Sequence, residues 1–124
     1  MLNSARIMAF VPITDSQKSR PFYEEVLGLR FVSDDPFALV MNSNGVTIRL
    51  AKVGKFSPAR FTIMGWQVSA IEESVSELTK KGVQFEKFPG LPQDERGIWA
   101  APGGAKVAWF KDPDGNILSL SQHV

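Results

Sequence analysis

Apolar residues recur along this chain at two spacings, and the change from one to the other marks its elements. In "SAIEESVSELTKKG", Ile71, Val75 and Leu78 fall at intervals of four and three, the period of one helix face. Ser69 stands three residues before Glu72, a capping-box spacing. Lys80 and Lys81 suit the last turn, and Gly82 supplies the stop. In "SRPFYEEVLG", Phe22 and Val26 give a shorter stripe, with Ser19 as the expected N-cap and Gly28 as the end. Pro21 would break a helix begun as early as Asp15, so residues 15–18 are expected as a turn.

The remaining pattern has period two. "RIMAFVPI", "LRFVS", "FALVM", "VTIRLAKV", "RFTIMGWQV", "VQFEKF", "GIWAA", "AKVAWF" and "NILSLS" are short β-prone runs, separated by Asn-Gly, Pro-Gly, Gly-Gly and Asp-Gly turn signals. In order they read strand, helix, three strands, and then the same again. The spacing repeats too: Met8 to Gly28 is 20 residues and Ile63 to Gly82 is 19. The expected fold is therefore α+β, a single domain over residues 1–124 made of tandem βαβββ modules, about 1–57 and 58–124. Its curved mixed sheets would form a cup with the helices outside.

Strand parity predicts which side chains would line that cup. Ile7, Ala9 and Val11 suit the helix-packed face, leaving Arg6, Met8 and Phe10 on the concave one. Val46, Ile48 and Leu50 pack outward, so Thr47, Arg49 and Ala51 face in. Met64, Trp66 and Val68 take the packed side, and Ile63, Gly65 and Gln67 the cup. Ser119 and Ser121 alternate with Leu118 and Leu120 toward the cup, while Ile117 and Trp109 are left unassigned. Trp99 lies in the irregular stretch "DERGIWAAPGG", within a long loop over 89–104 that could fold over the cup.

Composition narrows the functional classes. Fourteen Lys and Arg against 13 Asp and Glu leave a net charge of +1, without the basic excess of a nucleic-acid surface. No cysteine is present, which removes disulfide and thiolate chemistry and fits a cytoplasmic location. The opening "MLNSARIMAFVPITD" has no long apolar run and meets Pro12 early, so neither a signal peptide nor a membrane span is expected.

"VPITDSQKSRPFYEEVLGLRFV", with Asp15, Phe22-Tyr23 and Leu27-Gly28-Leu29, resembles the opening of the glyoxalase, bleomycin-resistance and extradiol-dioxygenase superfamily, the vicinal oxygen chelate fold. "FKDPDGNILSL" resembles its closing hairpin, at Asp112-Pro113-Asp114-Gly115-Asn116. The resemblance implies a cup that in the family's enzymes holds one divalent metal on His, Glu or Asp from four strands. The implied ligand positions fall here on Met8, Arg49, Ile63 and Ser119. A thioether, a guanidinium, a hydrocarbon and a neutral hydroxyl cannot hold such a metal as carboxylate and imidazole would. Slipping each strand by two residues brings in no His, Asp or Glu, and the one histidine, His123, stands beside the C-terminus.

The expected function is thus small-molecule binding without metal or other cofactor. The ligand would be neutral or anionic and partly aromatic, held by Met8, Phe10, Arg49, Ile63, Gln67, Trp99, Trp109 and Ser119. Arg49 would act as an anion anchor. The alternatives are a lyase, isomerase or dioxygenase with unconventional ligands, and an interaction module whose cup is incidental. Gln93-Asp94-Glu95-Arg96 reads as a solvated loop, not a catalytic cluster. The resemblance also implies a homodimer; no nucleic acid or membrane partner is expected.

Overall fold

A computed structural model describes residues 1–124, and the chain divides into two compact units, Met1–Ser57 and Pro58–Val124. Each unit contains a four-stranded mixed sheet in which first and last strands run parallel. In the first, β1 (Met8–Ile13), β2 (Arg30–Asp34), β3 (Ala38–Ser43) and β4 (Val46–Lys52) are ordered β1-β4-β3-β2. In the second, β5 (Thr62–Gln67), β6 (Trp99–Ala100), β7 (Lys106–Lys111) and β8 (Ile117–Gln122) are ordered β5-β8-β7-β6. A helix follows the first strand of each. The α+β class and the repeated βαβββ order are as the sequence predicts. No helix is long and apolar enough to cross a membrane.

In the first unit Val11, Ile13, Leu39, Met41, Ile48 and Leu50 are almost fully buried and share one face of the sheet by register. The helical segment packs on that face through Ser19 and Tyr23, both fully buried. This segment differs from expectation. It begins as helix α1 (Ser16–Arg20), capped by the Asp15 carboxylate accepting from the Gln17 N–H at 2.9 Å, so residues 15–18 are not a free turn and Ser19 is not the cap. Pro21 lacks the N–H that an α-turn needs, and the chain widens into a π-helical turn over Pro21–Val26 instead of breaking. Phe22 and Val26 are only half-buried, whereas the Ser19 hydroxyl is enclosed without a hydrogen-bond partner. Ile7 precedes β1 and is 75% exposed, so its expected packing role fails.

In the second unit, helix α2 (Ile71–Lys80) buries Ile71 and Val75. The packed face of its sheet carries Ala108, Phe110, Leu118 and Leu120. Trp66 joins them as predicted, stacked on Phe110 with centroids 6.5 Å apart. The expected capping box does not form. Ala70 is the N-cap residue, and the free Ile71 N–H donates to the Gln122 carboxamide of β8 at 2.8 Å. Glu72 accepts instead from Lys106 Nζ at 2.8 Å, which holds its carboxyl below the usual carboxylate range. The helix ends as expected on Gly82, at φ +96°, with the Val83 N–H returning to Leu78 O.

"VQFEKF" does not form a ladder strand. Phe85 makes one isolated bridge to Phe110, and the Glu86 N–H donates to Trp109 O at 2.8 Å. The outer edge of β7 is therefore covered at one end by Phe85–Glu86 and at the other by the two residues of β6. The closing turn is built on Asp112, whose carboxylate accepts from the Asp114 and Asn116 N–H groups and from Asn116 Nδ2.

Candidate functional site

Each sheet has one face turned away from its helix, and cross-strand register fixes the side chains that share it. In the first unit Phe10, Arg49 and Val40 form one row, with Met8, Thr47 and Asn42 in the next. Phe10 is 64% exposed and Met8 45%, a large apolar surface to leave in water. Arg49 is half-buried beside Phe10 and forms no ion pair or side-chain hydrogen bond. Its charge is felt at Asp35, whose carboxyl is held low mainly by the Phe37 and Ala38 N–H groups and to a lesser degree by Arg49. A planar guanidinium with no hydrogen bond or close ion pair of its own, next to an open aromatic ring, can bind a carboxylate or phosphate.

In the second unit the corresponding row is Gly65, Ser119 and Trp109, and the next holds Gln67, Ser121, Val107 and Trp99. Register thus settles Trp109, which parity alone left open, and puts Ile117 on the same face as Ser119. Trp99 and Trp109 lie 6.1 Å apart, tilted by 31°, and Phe88 meets Trp109 edge-on at 5.4 Å. These three rings make an aromatic wall beside a position with no side chain at all. Gly65 is bare for a reason: a Cβ there would collide with Ser119 Oγ and lie 3.0 Å from its carbonyl oxygen. Ser119 is almost closed off, and Gln67 is exposed. His123, also exposed, hydrogen-bonds the Ser121 hydroxyl at 3.0 Å.

Ile63 is the one predicted residue whose facing cannot be taken from alternation. The ladder pairs Thr62 with Ile117 and Met64 with Leu118, so Ile63 is the extra residue of a bulge, half-buried and unpaired. Met8, Phe10 and Arg49 therefore share the open face of the first sheet. Gln67, Trp99, Trp109 and Ser119 share that of the second. Two further residues were not foreseen. Phe88 sits in a run expected as strand, and Gln93 in one expected as a solvated loop. Nothing in their local spacing distinguishes them.

The side chains at the four implied ligand positions do not fit a divalent metal. Met8 and Arg49 offer a thioether and a cation, Ile63 offers no donor, and Ser119 only a neutral hydroxyl. Nowhere in the chain do three His, Cys, Asp or Glu side chains gather in a way that could hold a metal ion.

Comparison with known proteins places this geometry in context. A sequence profile of the Glyoxalase/Bleomycin resistance protein/Dioxygenase superfamily matches residues 5–120. Among solved structures, a superfamily member from Sphaerobacter thermophilus DSM 20745 is 25% identical over 99% of this chain and 100% of its own, with a TM-score of 0.74. TnmS3, an antibiotic binding protein from Streptomyces sp. CB03234, is 24% identical over 100% and 99%, at TM-score 0.70. Lactoylglutathione lyase from Agrobacterium tumefaciens is 15% identical over 96% and 93%, at TM-score 0.73. A search of curated protein sequences finds no match.

Proposed function

Because the chain belongs to the Glyoxalase/Bleomycin resistance protein/Dioxygenase superfamily, we propose that it is a metal-independent small-molecule-binding member, taking a neutral or anionic, partly aromatic ligand. The open faces of its two sheets are the binding surfaces, through Met8, Phe10 and Arg49 on one and Gln67, Trp99, Trp109 and Ser119 on the other, with Ile63 contributing from the β5 bulge. One observation carries the reading. Where the family's enzymes place metal-binding side chains, this chain places Arg49, a cation with no hydrogen bond or close ion pair, in one row with the exposed Phe10.

Chemically the pair is suited to an aromatic carboxylate. The ring would lie against Phe10 and displace water from it, while the guanidinium takes both carboxylate oxygens in a bidentate pair. TnmS3 offers a precedent for small-molecule binding on this fold. By family resemblance the functional unit is proposed to be a homodimer, and its location the cytoplasm.

Fluorescence titration with 2-naphthoate and with its neutral analogue 2-naphthamide tests the proposal. Arg49→Ala should weaken naphthoate by about ten- to a hundredfold, since a hydrogen bond to a charged group contributes roughly 1.5–3 kcal/mol. Naphthamide affinity should change little. Equal affinity of wild type and variant for naphthoate would reject Arg49 as the anchor. Absence of binding of either compound at millimolar concentration would reject the reading.

A further inference from the structure

The aromatic wall of the second unit is assembled from three separate places in the sequence. Trp109 is on β7, within the sheet. Phe88 and Trp99 stand near the two ends of an irregular excursion that leaves the β7 edge after Glu86 and returns to it at β6. Such a loop of twelve residues, 87–98, with Pro89, Gly90 and Pro92 in it, has no ladder between its arms. Each arm is anchored on β7, and the side-chain hydrogen bonds that run between them come from one residue. The Gln93 carboxamide accepts from the Phe88 N–H at 2.7 Å and donates to Glu86 O and Gly97 O, each at 2.8 Å. It thus ties the outgoing arm, which carries Phe88, to the returning arm, which carries Trp99. Gln93 also bridges Trp99 through the backbone. On the returning arm, the Asp94 carboxylate accepts from the Arg96 and Ile98 N–H groups.

We propose that Gln93 is a positioning residue for ligand binding. By locking the two loop arms it holds Phe88 and Trp99 against Trp109, as a preformed aromatic surface for one flat, uncharged ring of the ligand. This rests on the binding function proposed above and adds the chemistry of one ligand portion and the residue that prepares its site. An aromatic surface fixed before binding avoids the ordering cost of two large side chains and a loop, which is how preorganisation raises affinity. The Gln93 side chain does so through three hydrogen bonds, all of them to backbone groups of the two arms.

The test uses a signal that needs no ligand. Two indoles 6.1 Å apart should give an exciton couplet in the ultraviolet circular dichroism of the free protein, and Trp99→Phe or Trp109→Phe should each remove it. Gln93→Met keeps the side-chain length and removes all three hydrogen bonds. It should shrink the couplet at least twofold and weaken 2-naphthamide binding about tenfold, with the sheet signal retained. Gln93→Glu, which keeps the acceptor for the Phe88 N–H and loses both donations to carbonyls, should act in the same direction and serves if the Met variant does not fold. A full couplet in both variants, or a lost couplet with unchanged naphthamide affinity, overturns the inference. If the wild type binds no naphthamide but Gln93→Met loses the couplet, the latch stands and the binding role is refuted.

Discussion

Asp112→Ala should destabilise the protein by about 3 kcal/mol or more, because it removes the acceptor for three donors at once in a buried turn. The Asp112 side chain takes the Asp114 N–H at 2.9 Å, the Asn116 N–H at 2.9 Å and Asn116 Nδ2 at 2.8 Å. Asp112 is 5% exposed and Asn116 1%, so water cannot readily replace the two bonds lost to Asn116. The backbone closes the same turn, with Gly115 at φ +88° and its N–H on Asp112 O. For a domain of this size the unfolding midpoint should fall by about 10 °C. Asp112→Asn keeps one acceptor oxygen and should cost less. A midpoint in Asp112→Ala within a degree or two of wild type would mean that β7 and β8 do not depend on the side-chain network. The turn therefore has a structural role, and the family-like motif at residues 112–116 reports the fold and not the chemistry.

The second large effect concerns the bare position on the open face of the second sheet. Gly65→Ala should cost about 1–3 kcal/mol, the usual range for overpacking a closely fitted site. The added methyl would run into the Ser119 hydroxyl and press on its carbonyl oxygen, and a β8 backbone in the middle of its sheet cannot retreat. Ser119→Ala alone should be mild, and in the Gly65→Ala background it should recover part of the loss by removing the nearer obstacle. The coupling read from unfolding of the two single variants and the double variant distinguishes this contact from a general loss of strand pairing. Strict additivity would show that the two residues do not meet.

These two sites also show why part of the fold was legible and part was not. The parity of β1 and β4 could be read directly, because Val11, Ile48 and Leu50 alternate with Phe10, Thr47 and Arg49 over uninterrupted ladders. In β5 the same alternation holds from Met64 onward and fails at Ile63, since a bulge adds a residue without altering the composition of the run. The stop at Gly82 is local, requiring only a residue at ease with positive φ, and was readable. The start of α2 is not local. Ser69 and Glu72 have the right spacing to cap it, but a carboxamide 51 residues away takes the N–H instead. Pro21 misled for a related reason: the penalty it imposes is real, but a widened turn offsets it without ending the helix. Arg49 could be nominated because strand direction is periodic, whereas Trp99 was nominated from an irregular loop and the facing of Trp109 stayed open until register fixed it. Gln93 could not, because its partners are backbone groups brought near only when the loop closes.

Aromatic small molecules should bind this chain without a metal ion. Calorimetric titration of 2-naphthoate before and after exhaustive chelation tests it directly. Saturable binding with the same affinity is expected in both samples, with no gain when Zn²⁺, Ni²⁺, Mn²⁺ or Fe²⁺ is restored. Binding that disappears on chelation and returns with one equivalent of divalent metal would contradict it.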